Sequence, residues 1–227
     1  MQVLWAVKRF LRDNGLAIAT LGTFLVIWLG GQTWAGHRAY NEEQRSHGER
    51  TISFADYLTT AHFGEATFEN WESEFLQMGA YVVLTVHLTQ KGSAESKAPG
   101  SDDAVDEDPE KHRDDPDAPW PVRRGGLVLK LYSNSLSIAF FALFAMSFVL
   151  HAATGAREFN NEQLAHGEQT VSGFGFLTRS EFWFQSLQNW QSEFLAVGAL
   201  VVLTIFLRQQ GSPESKPVHA RHRSVDG

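Results

Sequence analysis

NWESEFLQMGAYVVLT at residues 70–85 returns as NWQSEFLAVGALVVLT at residues 189–204, and the reading of the fold starts from that recurrence. Shifted by 119 positions, residues 36–97 align with 155–216 without a gap and share 32 of 62 residues. HGE (47–49 and 166–168) and GS-x-ESK (92–97 and 211–216) are among the shared motifs. Upstream, NGL at 14–16 matches NSL at 134–136 after a one-residue slip. Self-similarity over so long a period marks an internal duplication. In both copies a glutamate, Glu74 or Glu193, opens an apolar run, so the length of that run has to be set against the thickness of a bilayer.

The 43% hydrophobic content of this 227-residue chain resembles that of a soluble protein. The average misleads, because the apolar residues gather into four blocks. Residues 16–34, LAIATLGTFLVIWLGGQTW, carry no charge, and residues 136–153, LSIAFFALFAMSFVLHAA, carry one histidine near their end. A hydrocarbon core of roughly 30 Å needs about 20 helical residues, so both are predicted to span. Residues 75–88 and 194–207 are fourteen uncharged residues each. At 1.5 Å per residue they make about 21 Å of helix, too short to span alone. Extending them backward gives full spans and places the two glutamates about 5–10 Å inside the boundary. Lys8, Arg9 and Arg12 before the first block, and TWA at 33–35 after it, also fit a cleavable signal. The counterpart at 136–153 lies mid-chain and must be retained, which argues for retention of the first.

The expected architecture is an all-α integral membrane protein with four transmembrane helices, at about 16–34, 70–88, 135–153 and 189–207. Each repeat holds two spans, so both enter the membrane from the same side. They form two parallel-repeat hairpins with pseudo-twofold symmetry about the membrane normal. Repeat 1 covers residues 1–91 and repeat 2 residues 121–210. The acidic linker 92–120 and the tail 211–227 have almost nothing to bury and are expected to be disordered. Short connections favour each hairpin pairing with itself, although helix order stays open. Of the 19 lysines and arginines, fourteen lie in the N-terminus, linker and tail, and five in the loops between paired spans. That asymmetry predicts cytoplasmic termini. Lys8, Arg9, Arg12, Arg123 and Arg124 are placed to meet anionic lipid head groups.

Several chemistries are excluded or disfavoured. Without cysteine there is no disulfide, thiolate metal site or cysteine nucleophile. A net charge of −7 argues against nucleic acid as a partner. No phosphate-binding glycine loop or HExxH is present, so no cofactor is expected. Charge inside a membrane is expensive and usually faces a bundle interior, which makes Asn70, Glu74, Asn189 and Glu193 the candidate intramembrane polar site. Two carboxylates facing each other there would share a proton or hold a cation; alternatively, each glutamate caps a neighbouring helix or pairs with an arginine such as Arg38. In the intervening loops, His47, Glu49, His166 and Glu168 offer groups of the kind zinc accepts. The competing reading is that His-Gly ends a short helix, with glycine in the left-handed position.

RFLRDNGL, YNEEQRSHGE, NWESEFLQMGAYVVLTV, KGSAESK, PWPVRRGG and NWQSEFLAVGALVVLTIFLRQQGSPESKPV together resemble a bacterial family of small, internally repeated four-span membrane proteins. That family is catalogued only as a domain of unknown function. The resemblance runs nearly end to end apart from the acidic linker. It implies a bacterial inner-membrane location and brings no activity, substrate or site residues.

Three functions are compatible with these features. A non-enzymatic envelope protein would act through lipids, homo-oligomers or other membrane proteins, using small-residue faces such as Gly79-Ala80 and Gly198-Ala199. A small oligomeric ion or proton channel or transporter would use Glu74 and Glu193. A metal-dependent membrane enzyme would use the loop histidines.

Overall fold

The computed structural model describes residues 2–101 and 103–222, and every regular element among them is helical. Helix α1, Gln2–Asp13, is amphipathic and leaves Trp5, Phe10 and Leu11 exposed, with the Arg9 guanidinium 5.6 Å from the Trp5 ring centroid. Asn14 ends it. The backbone leaves the helical region at φ −120°, and the side-chain amide donates to the Phe10 carbonyl at 2.9 Å. Asn134 makes the same break before the third apolar block, at φ −115°, donating to the Lys130 carbonyl at 2.8 Å. Asparagine does this because its short amide competes with the helix for main-chain partners.

Helix α2, Gly15–Ser46, follows at once and runs unbroken for 32 residues. Its middle, Val26–Gln32, widens into a π-helix where Gly30 and Gly31 weaken the α ladder. The buried Thr33 hydroxyl donates to the Trp28 carbonyl five residues back, at 2.8 Å, matching the wider turn. Helix α3 is Ala61–His87, started by the Thr60 hydroxyl accepting from the Phe63 amide. After the linker come α4, Gly126–Ser133, α5, Ser135–Ala165, and α6, Ser180–Phe206.

Three helices are long and apolar enough to cross a membrane: α2, α5 and α6. The sequence led us to expect four. Helix α3 equals α6 in length at 27 residues, but Glu65, Glu69, Glu72 and Glu74 interrupt its apolar surface. The matching positions of α6 hold Phe184, Gln188, Gln191 and Glu193, a single charge in place of four.

The packing does not follow the repeat. The most extensive helix contact joins α3 to α5, across the two copies, and α6 makes the next largest contact with α3. Neither hairpin closes mainly on itself. Small residues allow the α3–α5 approach: Gly64 lies under Thr154, and Gly79 lies against Phe140 and Phe141. Aromatic rings tie α5 to α6, with Phe148 on Phe182 at 5.2 Å and Phe144 on Trp190 at 6.2 Å between centroids. Helix α2 touches this trio chiefly through Trp28, which donates to Thr67 at 3.2 Å, and Gln32.

Locally the two copies do fold alike. Asn41 clamps the Ile52 main chain through both amide atoms, and Asn160 clamps Val171 in the same way. A one-turn helix follows each clamp, Phe54–Tyr57 and Gly173–Phe176, capped by Ser53 and Ser172. Each turn seats one ring on a glycine of the preceding long helix, Tyr57 on Gly36 and Phe176 on Gly155. Ala152, Ala156, Phe176 and Phe182 form the buried apolar core, at this loop end of the bundle.

At the opposite end, both GS-x-ESK motifs make matching turns. Ser96 and Ser215 accept from the Gln90 and Gln209 amides, and Ser93 bonds Thr204 of α6 at 2.9 Å. Two short 3-10 turns, Ala104–Asp106 and Pro109–His112, interrupt the segment expected to be disordered, and Lys97 pairs with Asp106 at 2.6 Å.

Candidate functional site

Where α3, α5 and α6 meet, the interior is polar. Glu72 and His151 are both fully buried, and the carboxylate lies 2.8 Å from the imidazole Nδ1. The second carboxylate oxygen of Glu72 accepts from the Trp190 indole at 3.1 Å. On the other side of the ring, His151 Nε2 faces the Gln185 carbonyl oxygen at 3.3 Å, and the Gln185 amide donates to Glu65 at 2.9 Å. Asn189 donates to Glu69. Phe182 stacks on the imidazole at 4.8 Å and closes that face.

Helix geometry sets the level of this cluster. Glu72 lies fifteen residues from the His87 end of α3, and His151 sixteen from the start of α5. At 1.5 Å per residue both stand about 22–24 Å from the linker end of the bundle, at the same level. An isolated charge at the centre of a spanning helix costs about 2.5–3.5 kcal/mol on insertion scales. Here two groups of opposite tendency, from different helices, answer each other and are fully hydrogen-bonded, the condition under which buried ions persist.

A carboxylate 2.8 Å from an imidazole nitrogen leaves room for one proton between them. It sits on Nδ1 as an ion pair or on the carboxyl as a neutral pair, and the heavy atoms serve both arrangements. Two more hydroxyls share the interior. Ser147 precedes His151 by one turn of α5, and Ser186 lies one residue beyond Gln185 on α6. Both are fully buried and neither has a hydrogen-bond partner. Fully buried polar atoms are rarely left this way in a purely structural core.

From Glu65 the polar line continues toward the loop end. Its carboxylate lies beside Gly155, and Glu158, one turn further along α5, lines a small cavity of about 110 Å³ with Glu43, Glu162, His47 and His166. Nearby, the buried Tyr57 hydroxyl lies 2.9 Å from His62 Nδ1. Burial, reinforced by the charge of Glu158 and by Tyr40, pushes that phenol up to about 12, so it stays a neutral donor.

The residues singled out from sequence are placed as follows. Glu74 is exposed on α3 and Glu193 is half-buried on α6, near enough for its charge to act on Glu74. Asn70 turns back onto its own helix, donating to Ala66, while Asn189 enters the buried cluster through Glu69. His47, Glu49 and His166 line the loop cavity, but Glu168 does not. His47 and His166 each put Nδ1 on the carbonyl four residues back, and Gly48 and Gly167 adopt φ 76° and 72°, the glycine-ended helix. Among the described residues, no three His, Asp or Glu side chains are grouped to hold a metal ion. Lys8, Arg9, Arg12, Arg123 and Arg124 are exposed, with Arg9 and Arg12 paired to Asp13.

Sequence reasoning passed over Glu72, Glu65, Glu69 and Gln185. A signal was present, in the differences between the copies. Position 72 is Glu where its counterpart 191 is Gln, and position 151 is His where its counterpart 32 is Gln. The two titratable partners thus sit at positions where the two aligned segments differ.

A family model described as a domain of unknown function (DUF6766) matches residues 7–227. No curated protein and no solved structure matches the chain.

Proposed function

The chain belongs to the DUF6766 family, whose description states no activity, and from that premise we propose a multi-pass membrane protein that binds and relays protons at Glu72 and His151. The observation that carries this reading is the fully buried carboxylate–imidazole pair, hydrogen-bonded through Gln185 to Glu65, which lies beside Gly155, one helical turn short of Glu158 in an acid-lined cavity at the loop end. Chains of Asp, Glu and His inside a membrane are the parts from which proton relays are built. In this reading α3 is a fourth pass. Its Glu65, Glu69 and Glu72 point to α5 and α6 instead of lipid, so its average polarity understates its fitness to span. Both termini lie in the cytoplasm of a bacterial cell with the protein in the inner membrane, as the distribution of basic residues favours. The loop cavity then opens outward, and protons enter from that side.

The test is proton flux in vesicles. Purified protein is reconstituted with an internal pH dye, and an acid step is applied outside. Wild type should collapse the gradient at least tenfold faster than Glu72→Gln or His151→Asn, both of which keep hydrogen-bonding shape. Equal rates in all three, or no rate above empty vesicles, would overturn the proposal.

A second reading, an envelope protein acting by association, is favoured by α2. None of its apolar window is buried, and Gly15, Gly22, Gly30 and Gly31 meet no neighbouring atom. Helices that pack in lipid use such small-residue surfaces. Cross-linking through cysteines introduced at Gly22 and Gly30 would trap a partner if this face is occupied in the membrane, and would trap nothing if it faces lipid.

A further inference from the structure

A second site lies at the linker end, away from the buried pair. Between α3 and α6 a cleft of about 450 Å³ is lined by Leu84, Leu88, Phe194, Val197, Gly198 and Val201. That volume falls in the range of small-molecule sites, which are mostly apolar with a few fixed polar groups. The polar groups here are concentrated at one place. Tyr81 donates to both the main-chain carbonyl and the carboxylate Oε2 of Glu95, at 3.2 Å each, which fixes that side chain at the mouth of the cleft. Glu95 Oε1 is shielded from solvent and accepts no hydrogen bond.

Two nearby basic groups are engaged elsewhere, and the closest charge is another carboxyl. Its counterpart in the second copy, Glu214, acts on it by repulsion and lies within hydrogen-bonding reach, so the two carboxyl groups can share one proton and still carry a net negative charge. The Lys97 ammonium is spent on Asp106, and the Arg208 guanidinium on the carbonyls of Thr204, Ile205, Leu207 and Ala220. An apolar slot ending at two neighbouring carboxyl groups, with a net negative charge between them, selects by charge as well as by shape. Anionic amphiphiles are repelled, and a neutral chain leaves the buried oxygen unpaired.

We propose that the cleft between α3 and α6 binds a single-chain amphipathic cation, with the alkyl chain along Leu84, Phe194, Val197 and Val201 and the ammonium on Glu95. The site is independent of the Glu72–His151 pair and stands whether or not protons move there. Gly198 gives a clean way to fill it. A Cβ built there meets nothing within 4 Å, so Gly198→Leu can start into the slot without a backbone clash.

The experiment is calorimetric titration of dodecyltrimethylammonium, below its micelle concentration, into the protein in lipid discs, with empty discs as blank. Wild type should bind saturably near one per chain. Glu95→Gln and Gly198→Leu should each weaken binding at least tenfold, and Glu42→Gln, which removes an exposed carboxylate elsewhere, should not. Dodecyl sulfate should show no saturable binding. Circular dichroism confirms that each variant is folded, and Val197→Phe replaces Gly198→Leu if that one is not. Undiminished binding by Glu95→Gln, undiminished binding by the slot-filling variant, or equal binding of dodecyl sulfate would each overturn the proposal.

Discussion

The charge of the Glu72–His151 pair can be measured by a double-mutant cycle with Glu72→Leu, His151→Leu and the double variant. Glu72 is fully buried and touches two donors, His151 Nδ1 at 2.8 Å and Trp190 Nε1 at 3.1 Å. Removing His151 alone strands the carboxylate on a single indole, and removing Glu72 alone strands the imidazole. Breaking a buried ion pair from one side costs about 3–5 kcal/mol, whereas replacing both partners with apolar residues of similar volume is often close to neutral. The loss of the Trp190 contact occurs in both Glu72 variants, and the loss of the Gln185 contact in both His151 variants, so both cancel in the cycle. The coupling energy should therefore exceed about 2 kcal/mol. A neutral interhelical hydrogen bond in a membrane averages about 0.6 kcal/mol and reaches about 1.7, so the magnitude separates the two cases. Equilibrium unfolding by SDS titration in mixed micelles supplies the four stabilities. A coupling below about 1 kcal/mol would refute the reasoning that this pair shares a charge.

The glycine under Phe176 should be equally testable, because a Cβ at Gly155 would lie 2.7 Å from the ring. Gly155→Ala should destabilise by about 1–3 kcal/mol through overpacking, measured by thermal unfolding, while Gly173→Ala, where nothing lies within 4 Å, serves as control. Asn160→Ala removes both hydrogen bonds to Val171 and should cost about 1–3 kcal/mol, visible as faster proteolysis of the 166–172 loop. Glu95, at the linker end, is raised above its usual carboxyl range by burial and then by Glu214, against a smaller opposing contribution from Tyr81. A raised folded value means that its contribution to stability is fully present below the unfolded value of 4.5 and is lost as pH rises through the folded one. Glu95→Gln should therefore be more stable than wild type at pH 8, with the difference shrinking toward pH 4 in thermal scans. A constant difference across that range would show that Glu95 does not titrate in the folded protein.

The helical elements, the four apolar blocks and the glycine-ended loop helices were legible in the sequence, because each depends on neighbours within a few residues. The helix period and bilayer thickness fix a span from a run of twenty residues, and a glycine acts on its own turn. The matching clamps at Asn41 and Asn160 reach eleven residues and were found only in the structure. Which face of α3 lies inside was not legible. The motif NWESEFL offers two carboxylates two positions apart, about 200° around the helix, and nothing local says which one is buried. Repetition drew attention to Glu74, since Glu193 matches it, yet α5 packs on α3 so that Glu72 is enclosed and Glu74 is exposed. That choice is made by contacts across 79 residues, from Glu72 to His151, and by Gly64 and Gly79 letting the two helices close together. The sequence by itself determined what each segment can be. Only the tertiary structure decided that Glu72 and His151, 79 residues apart, meet and are enclosed, because burial is a property of helix pairs and not of a helix.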